Sequence, residues 1–220
     1  LRNDQVEFQR IFSQSDQAPL KEHPLYPYVQ HWTLRLKLSQ RPIAEANADA
    51  LQREVLRFLA RHDGESLGEQ LRKTYIEWLA DRESWAQLQL EYPKLIFQDE
   101  APLQCHFHFA RLKLASGEQE TLMLIASQSK QLLFAPRPLG AACGRLFSEL
   151  KQQGQIDQPA LQHRLRLALE TNQAAAIRWA ASHLGLPSSE VERALDQPEK
   201  ALRSSNPAIG QIAWTRFARQ

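Results

Sequence analysis

Apolar residues along the chain recur at the i, i+3, i+4, i+7 spacing that lines one side of a helix with 3.6 residues per turn. The strongest stripe is Leu139, Ala142, Cys143, Leu146, Phe147 and Leu150, and shorter ones run Leu51, Val55, Leu59; Cys105, Phe109, Leu112; and Ile177, Ala180, Ala181, Leu184. No stretch of comparable length alternates with period two, so the pattern predicts helix almost everywhere. Start and stop signals fall at Pro24, Pro42, Ser116-Gly117, Gly154, Asp157 with Pro159, Gly185 with Pro187, and Asn206-Pro207. They divide the pattern into about a dozen helices of roughly 10 to 20 residues.

The helices read as antiparallel pairs with short links. Residues 157–185 are the clearest pair, two amphipathic segments parted by the polar break Thr171-Asn172-Gln173. Pairs of this kind stack into α-solenoids. No period of about 34 residues and no complete tetratricopeptide signature is present, so the expectation is an all-α, irregular superhelix rather than a regular repeat protein. The last segment, from Pro207 to Gln220, carries an apolar face of Ile209, Ile212, Ala213 and Phe217 that has to be buried. It is expected to cap the array or to await a neighbour.

Composition agrees with the helical reading. Eight glycines in 220 residues, with few Val, Ile and Thr, argue against a β-rich fold, and 43% hydrophobic residues suffice for a substantial core. No run approaches the roughly 18 to 20 apolar residues of a membrane-spanning helix. Twenty-seven basic and 25 acidic side chains leave a net charge of +2, too balanced for the electrostatic footprint of a nucleic-acid binder.

Candidate chemistry is sparse. Glu83, in Asp-Arg-Glu-Ser-Trp, forms a Glu-Ser pair of the kind used in glycan cleavage, but no second carboxylate accompanies it. It reads as an acidic residue at a helix start, stabilised by the helix dipole. Cys105, His106, His108 and Cys143 match no common zinc spacing; they read as a disulfide or buried thiols beside ordinary helical histidines. Arg53, Arg57 and Arg61 repeat at four-residue spacing, and His163, Arg164, Arg166 and Arg178 lie on the later pair. Such arginines can hold carboxylates or phosphates by bidentate hydrogen bonds, although most stripes of this kind are solvated helix faces. Tyr26, Tyr28 and Trp32 can stack on sugar rings, but aromatics more often fill a core. No phosphate loop, nucleophile elbow, metalloprotease helix or Cys-x-x-Cys is present, so neither cofactor nor metal is expected.

Several stretches carry a resemblance: Lys-Glu-His-Pro-Leu-Tyr-Pro-Tyr at 21–28, Leu-Arg-Lys-Thr-Tyr-Ile-Glu-Trp-Leu-Ala-Asp-Arg-Glu-Ser-Trp at 71–85, Cys-His-Phe-His-Phe-Ala at 105–110, Ala-Cys-Gly-Arg-Leu-Phe at 142–147 and Arg-Leu-Arg-Leu-Ala at 164–168. In order and spacing they resemble the N-terminal superhelical U domain of the periplasmic soluble lytic transglycosylases. The Pro-Leu-Tyr-Pro-Tyr motif after a first helix is the most specific element, and the resemblance covers roughly residues 1–185. It implies a family that cuts the MurNAc-β-1,4-GlcNAc bond of peptidoglycan without water, leaving a 1,6-anhydromuramoyl product. In that family the U domain precedes a linker and a lysozyme-like catalytic domain.

The family's catalytic glutamate lies in a Glu-Ser motif followed closely by a Gly-Leu-Met-Gln type segment, which this chain lacks; Met123 is its only methionine. Residues 1–220 are therefore expected to be a U-domain fragment without linker or catalytic domain, inactive alone, with no catalytic residue. The resemblance also implies a Cys105–Cys143 disulfide, whose loop of 38 residues would add about 4 kcal/mol on the loop-entropy picture. It implies a periplasmic location with the signal peptide already removed. Arg53, Arg57, Arg61, Arg164 and Arg166 are the expected glycan contacts, and peptidoglycan strands and other cell-wall proteins the expected partners. The rival expectation is a tetratricopeptide-like adaptor that binds a protein partner.

Overall fold

The computed structural model describes residues 21–40, 45–115, 117–135 and 139–219. Among them all regular structure is helical, as twelve α-helices and one 3-10 turn. The expected breaks at Pro42 and Ser116, and any helix ahead of Pro-Leu-Tyr-Pro-Tyr, lie outside the described residues. The chain divides into two compact units, 1–98 and 99–220.

The first unit contains α1 (Tyr26–Ser39), α2 (Glu45–Arg61), α3 (Ser66–Asp81), α4 (Trp85–Glu91) and a 3-10 turn (Tyr92–Lys94). Helices α1, α2 and α3 pack against one another, and α4 folds back on α3. The α2 stripe of Leu51, Val55, Phe58 and Leu59 is buried, facing a core that includes Leu34, Leu71, Tyr75 and Leu79. The turn from α2 into α3 is so tight that a Cβ on Gly68 would sit 2.0 Å from the His62 carbonyl oxygen, so only glycine fits that corner.

A buried polar cluster ties down the end of this unit. The Glu69 carboxylate accepts hydrogen bonds from the Ile96 and Phe97 backbone N–H groups at 3.1 and 3.2 Å. Arg72 donates to the Lys94 carbonyl at 2.7 Å and to Asp63 at 3.0 Å, and its Nε lies 3.6 Å from Glu91, which Lys94 also meets at 2.8 Å. Buried charges persist where partners of this kind surround them.

The second unit runs α5 (Ala101–Leu114), α6 (Gln119–Leu133), α7 (Gly140–Gln152), α8 (Gln158–Glu170), α9 (Ala174–His183), α10 (Ser188–Asp196), α11 (Pro198–Ala201) and α12 (Pro207–Phe217). Helix α5 packs on both α6 and α7, and a Cys105–Cys143 disulfide, with Cα atoms 4.9 Å apart, joins α5 to α7. The predicted pair is α8 and α9, packed together across a turn in which Asn172 takes the left-handed conformation at φ 54°. Asp157 caps α8 by accepting from Ala160 N–H at 2.9 Å, and Asn206 caps α12 by accepting from Ala208 N–H at 3.0 Å.

Two expectations need correction in this unit and one in the first. Phe217 does not share the buried face of α12: Ile209, Ile212 and Ala213 enter a cluster with Val191, Ala194 and Leu195, whereas Phe217 is 44% exposed. Helices α10 and α11 are nine and four residues long, and in the first unit α4 is seven, all below the predicted range.

Candidate functional site

The first unit brings the sequence-predicted groups Tyr26, Arg57 and Arg61 into one cleft between α1 and α2, about 370 Å³ in volume. Helix α1 supplies Tyr26, Gln30, Thr33 and Lys37, at i, i+4, i+7 and i+11, so one helical face carries all four. Helix α2 supplies Glu54, Arg57 and Arg61, with the buried Phe58 behind them. Lys37 Nζ meets Glu54 Oε2 at 2.7 Å, which occupies the one carboxylate among these residues. Arg57 Nε donates only to the Arg53 carbonyl, at 3.3 Å, and among the described residues neither Arg57 nor Arg61 meets a carboxylate. Two guanidinium groups and a phenol therefore line an open cleft that suits an anionic or hydroxylated ligand.

Behind the cleft, His31 is buried on α1, its ring 6.3 Å from that of Phe58, and neither ring nitrogen has a hydrogen-bond partner. Burial, and then the Arg35 charge, push its pKa below the usual histidine value. His31 is thus a neutral packing residue rather than a ligand-facing base.

The other expected contacts fall elsewhere. Arg53 is exposed on α2 but does not line the cleft, because four-residue steps drift by about 40° each on a 3.6-residue helix and two steps separate it from Arg61. Tyr28 and Trp32 are 51% and 57% exposed on α1 and belong neither to the core nor to the cleft; Arg35 stacks over the Trp32 ring at 5.4 Å. Arg164 is a correction: it is 0% exposed and donates to the Ala135 carbonyl, so no external glycan can reach it. Its neighbour Arg166 is exposed on α8, and Arg178 makes a bidentate pair with Glu192 at 2.7 Å.

Glu83 is also corrected. It does not begin a helix; it follows the end of α3 in the left-handed conformation, φ 56°, with Ser84 as the residue ahead of α4. Cys105 and Cys143 spend their sulfurs on each other, which removes two of the four zinc candidates. His106 and His108 remain half-buried on α5, each with a partnerless Nδ1.

Gln30, Thr33, Lys37 and Glu54 were not singled out from sequence. The polar spacing Tyr26, Gln30, Thr33, Lys37 could have revealed the α1 face, whereas Lys37 and Glu54 are 17 positions apart and no local signal joins them.

No protein-family model matches the chain. Over 169 residues, 75% of its length, it is 24% identical to the soluble lytic murein transglycosylase of Escherichia coli (strain K12) and 26% identical to that of Salmonella typhimurium. The chain is homologous to soluble lytic murein transglycosylase. It spans 23% of the length of these curated relatives. Among solved structures, the 70-kDa soluble lytic transglycosylase in complex with bulgecin A superposes over 99% of the chain and 34% of its own, with TM-score 0.66 and 21% identity. That likeness extends the shared helical fold beyond the stretch aligned by sequence. Among the described residues no helix is long and apolar enough to cross a membrane.

Proposed function

We propose that residues 1–220 are a non-catalytic helical domain of a peptidoglycan lytic transglycosylase, with linker and catalytic module lying outside this sequence. The observation that carries this reading is the 169-residue similarity to soluble lytic murein transglycosylase, which falls on helical scaffold. The parent enzyme would cleave the MurNAc-β-1,4-GlcNAc bond and form 1,6-anhydromuramoyl products. The domain's part is to present glycan strands, with Arg57 and Arg61 in the α1–α2 cleft as contacts and Arg53 and Arg166 as exposed auxiliaries.

Glu83 is not assigned the acid role. A general acid needs an environment that raises its pKa and holds it against the bond, and Glu83 is exposed on a turn. The Cys105–Cys143 disulfide supports a periplasmic location over a cytosolic adaptor, because such bonds persist in oxidising compartments. Incubation of the purified chain with peptidoglycan, followed by chromatography of the soluble products, tests the assignment. The expected result is no release of anhydromuropeptides; turnover lost in Glu83→Gln would overturn it.

A further inference from the structure

The second unit holds a groove of about 530 Å³, bounded by Phe109, Gly144, Arg145, Ser148, Trp179 and His183, none of which was expected from sequence to contact a ligand. It is shallow and open to one side, so a ligand would lie against its wall rather than be enclosed. One wall is fixed before any ligand arrives. The Trp179 indole stacks on His183 with centroids 4.1 Å apart, and Phe147 meets it edge-on at 6.4 Å. His183 is itself held, one ring nitrogen 2.8 Å from the Trp179 carbonyl and the other 2.8 Å from Ser148 Oγ.

Two donors border this groove without acceptors. The Trp179 indole edge lies over α7 beside Gly144, where a Cβ would come within 3.5 Å of Nε1, and among the described residues nothing accepts the indole hydrogen. Arg145 is exposed, stacked over the Phe109 ring at 5.5 Å, and meets no carboxylate among the described residues. The groove's own acid, Glu149, is paired with Lys113 at 3.0 Å. The local balance is therefore one uncompensated guanidinium beside an indole donor and a rigid aromatic wall.

We infer that this groove binds a sugar bearing a free carboxylate, the carboxylate on Arg145 and the ring beside Trp179. A guanidinium fork matches a planar carboxylate, and the indole edge supplies a donor to a ring hydroxyl or amide. The sugar class rests on the proposed function. In peptidoglycan the lactyl carboxylate of N-acetylmuramic acid is free where the peptide has been removed, so the groove reads peptide-stripped strands.

The test titrates the 220-residue chain, with its indole nitrogens isotopically labelled, against N-acetylmuramic acid, N-acetylglucosamine and D-lactate. Loss of one resonance in Trp179→Phe assigns the reporter. N-acetylmuramic acid is expected to shift it saturably and to bind about tenfold more tightly than either other probe. Arg145→Gln is expected to abolish the preference over N-acetylglucosamine without altering the melting temperature. Equal binding of N-acetylglucosamine would overturn the role of Arg145, equal binding of lactate would overturn the sugar, and no shift would overturn the site. Sedimentation of the chain with whole peptidoglycan reports separately on the proposed function, so the two can fail independently.

Discussion

Burial keeps the His106 and His108 imidazoles neutral, lowering each pKa to about 4; desolvation is the larger cause, followed by the charge of Arg145 for His106 and of Arg111 for His108. An unfolded chain would titrate both near 6.5. The unfolded state therefore binds more protons between these values, so the histidines cost nothing above pH 6.5 and destabilise progressively as pH falls toward 4. Urea unfolding of the second unit is expected to weaken by about 1 to 2 kcal/mol per histidine between neutral pH and about pH 5. The His106→Gln, His108→Gln double variant should flatten that dependence, and an unchanged slope would refute the assignment. From sequence these were ordinary helical histidines, because depth depends on what packs over α5 and not on α5 itself. The burial of Arg164 is legible in the sequence. With Leu161, Leu165 and Ala168 it completes an i, i+3, i+4, i+7 stripe, so its spacing already placed it on the buried face of α8.

At the scale of elements, the α5–α7 contact is the one joined covalently. Cys105 and Cys143 are 38 positions apart, and on the loop-entropy picture their bond stabilises the second unit by at most about 4 kcal/mol. Reduction, or the Cys105→Ala, Cys143→Ala double variant, is expected to lower unfolding stability by about 2 to 4 kcal/mol, read by urea denaturation. Hydrogen exchange should place the lost protection in 99–220, since both cysteines lie there; loss confined to 1–98 would contradict this. Long stripes were the legible elements: α2, α7 and the α8–α9 pair each carry several turns of periodic apolar residues, and Asp157 and Asn206 announce their helices as caps. Helices α4, α10 and α11 span too few turns to set a period, so their lengths were overestimated. The turn at Glu83 was misplaced because the chain stays polar through Asp81-Arg82-Glu83-Ser84, and a polar run marks the end of one helix as well as the start of the next.

For the whole molecule, near balance of charge decides how an anionic strand can be held. A net charge of +2 over 220 residues gives little long-range attraction, so binding has to rest on local groups whose positive charge is uncompensated. The α1–α2 cleft is such a place, since Glu54 is engaged by Lys37 while Arg57 and Arg61 have no carboxylate partner among the described residues. Both arginines were legible from their four-residue repeat; that Arg53 would fall outside the cleft was not, because only the packing of α1 on α2 decides which part of the stripe is enclosed. Exposed guanidinium groups can be removed without opening the core, so Arg57→Ala, Arg61→Ala should leave the melting temperature nearly unchanged. If the cleft contacts glycan, this double variant is expected to sediment with insoluble peptidoglycan about tenfold more weakly than the parent chain, at about 1.4 kcal/mol in total. Raising salt should shrink the difference, because exposed ion pairs weaken as the screening length falls from about 10 Å at 0.1 M to about 3 Å at 1 M. Arg166→Ala, exposed on α8 but outside the cleft, is the comparison. A loss equal to that of the double variant would mean that diffuse positive charge, and not the cleft, holds the strand.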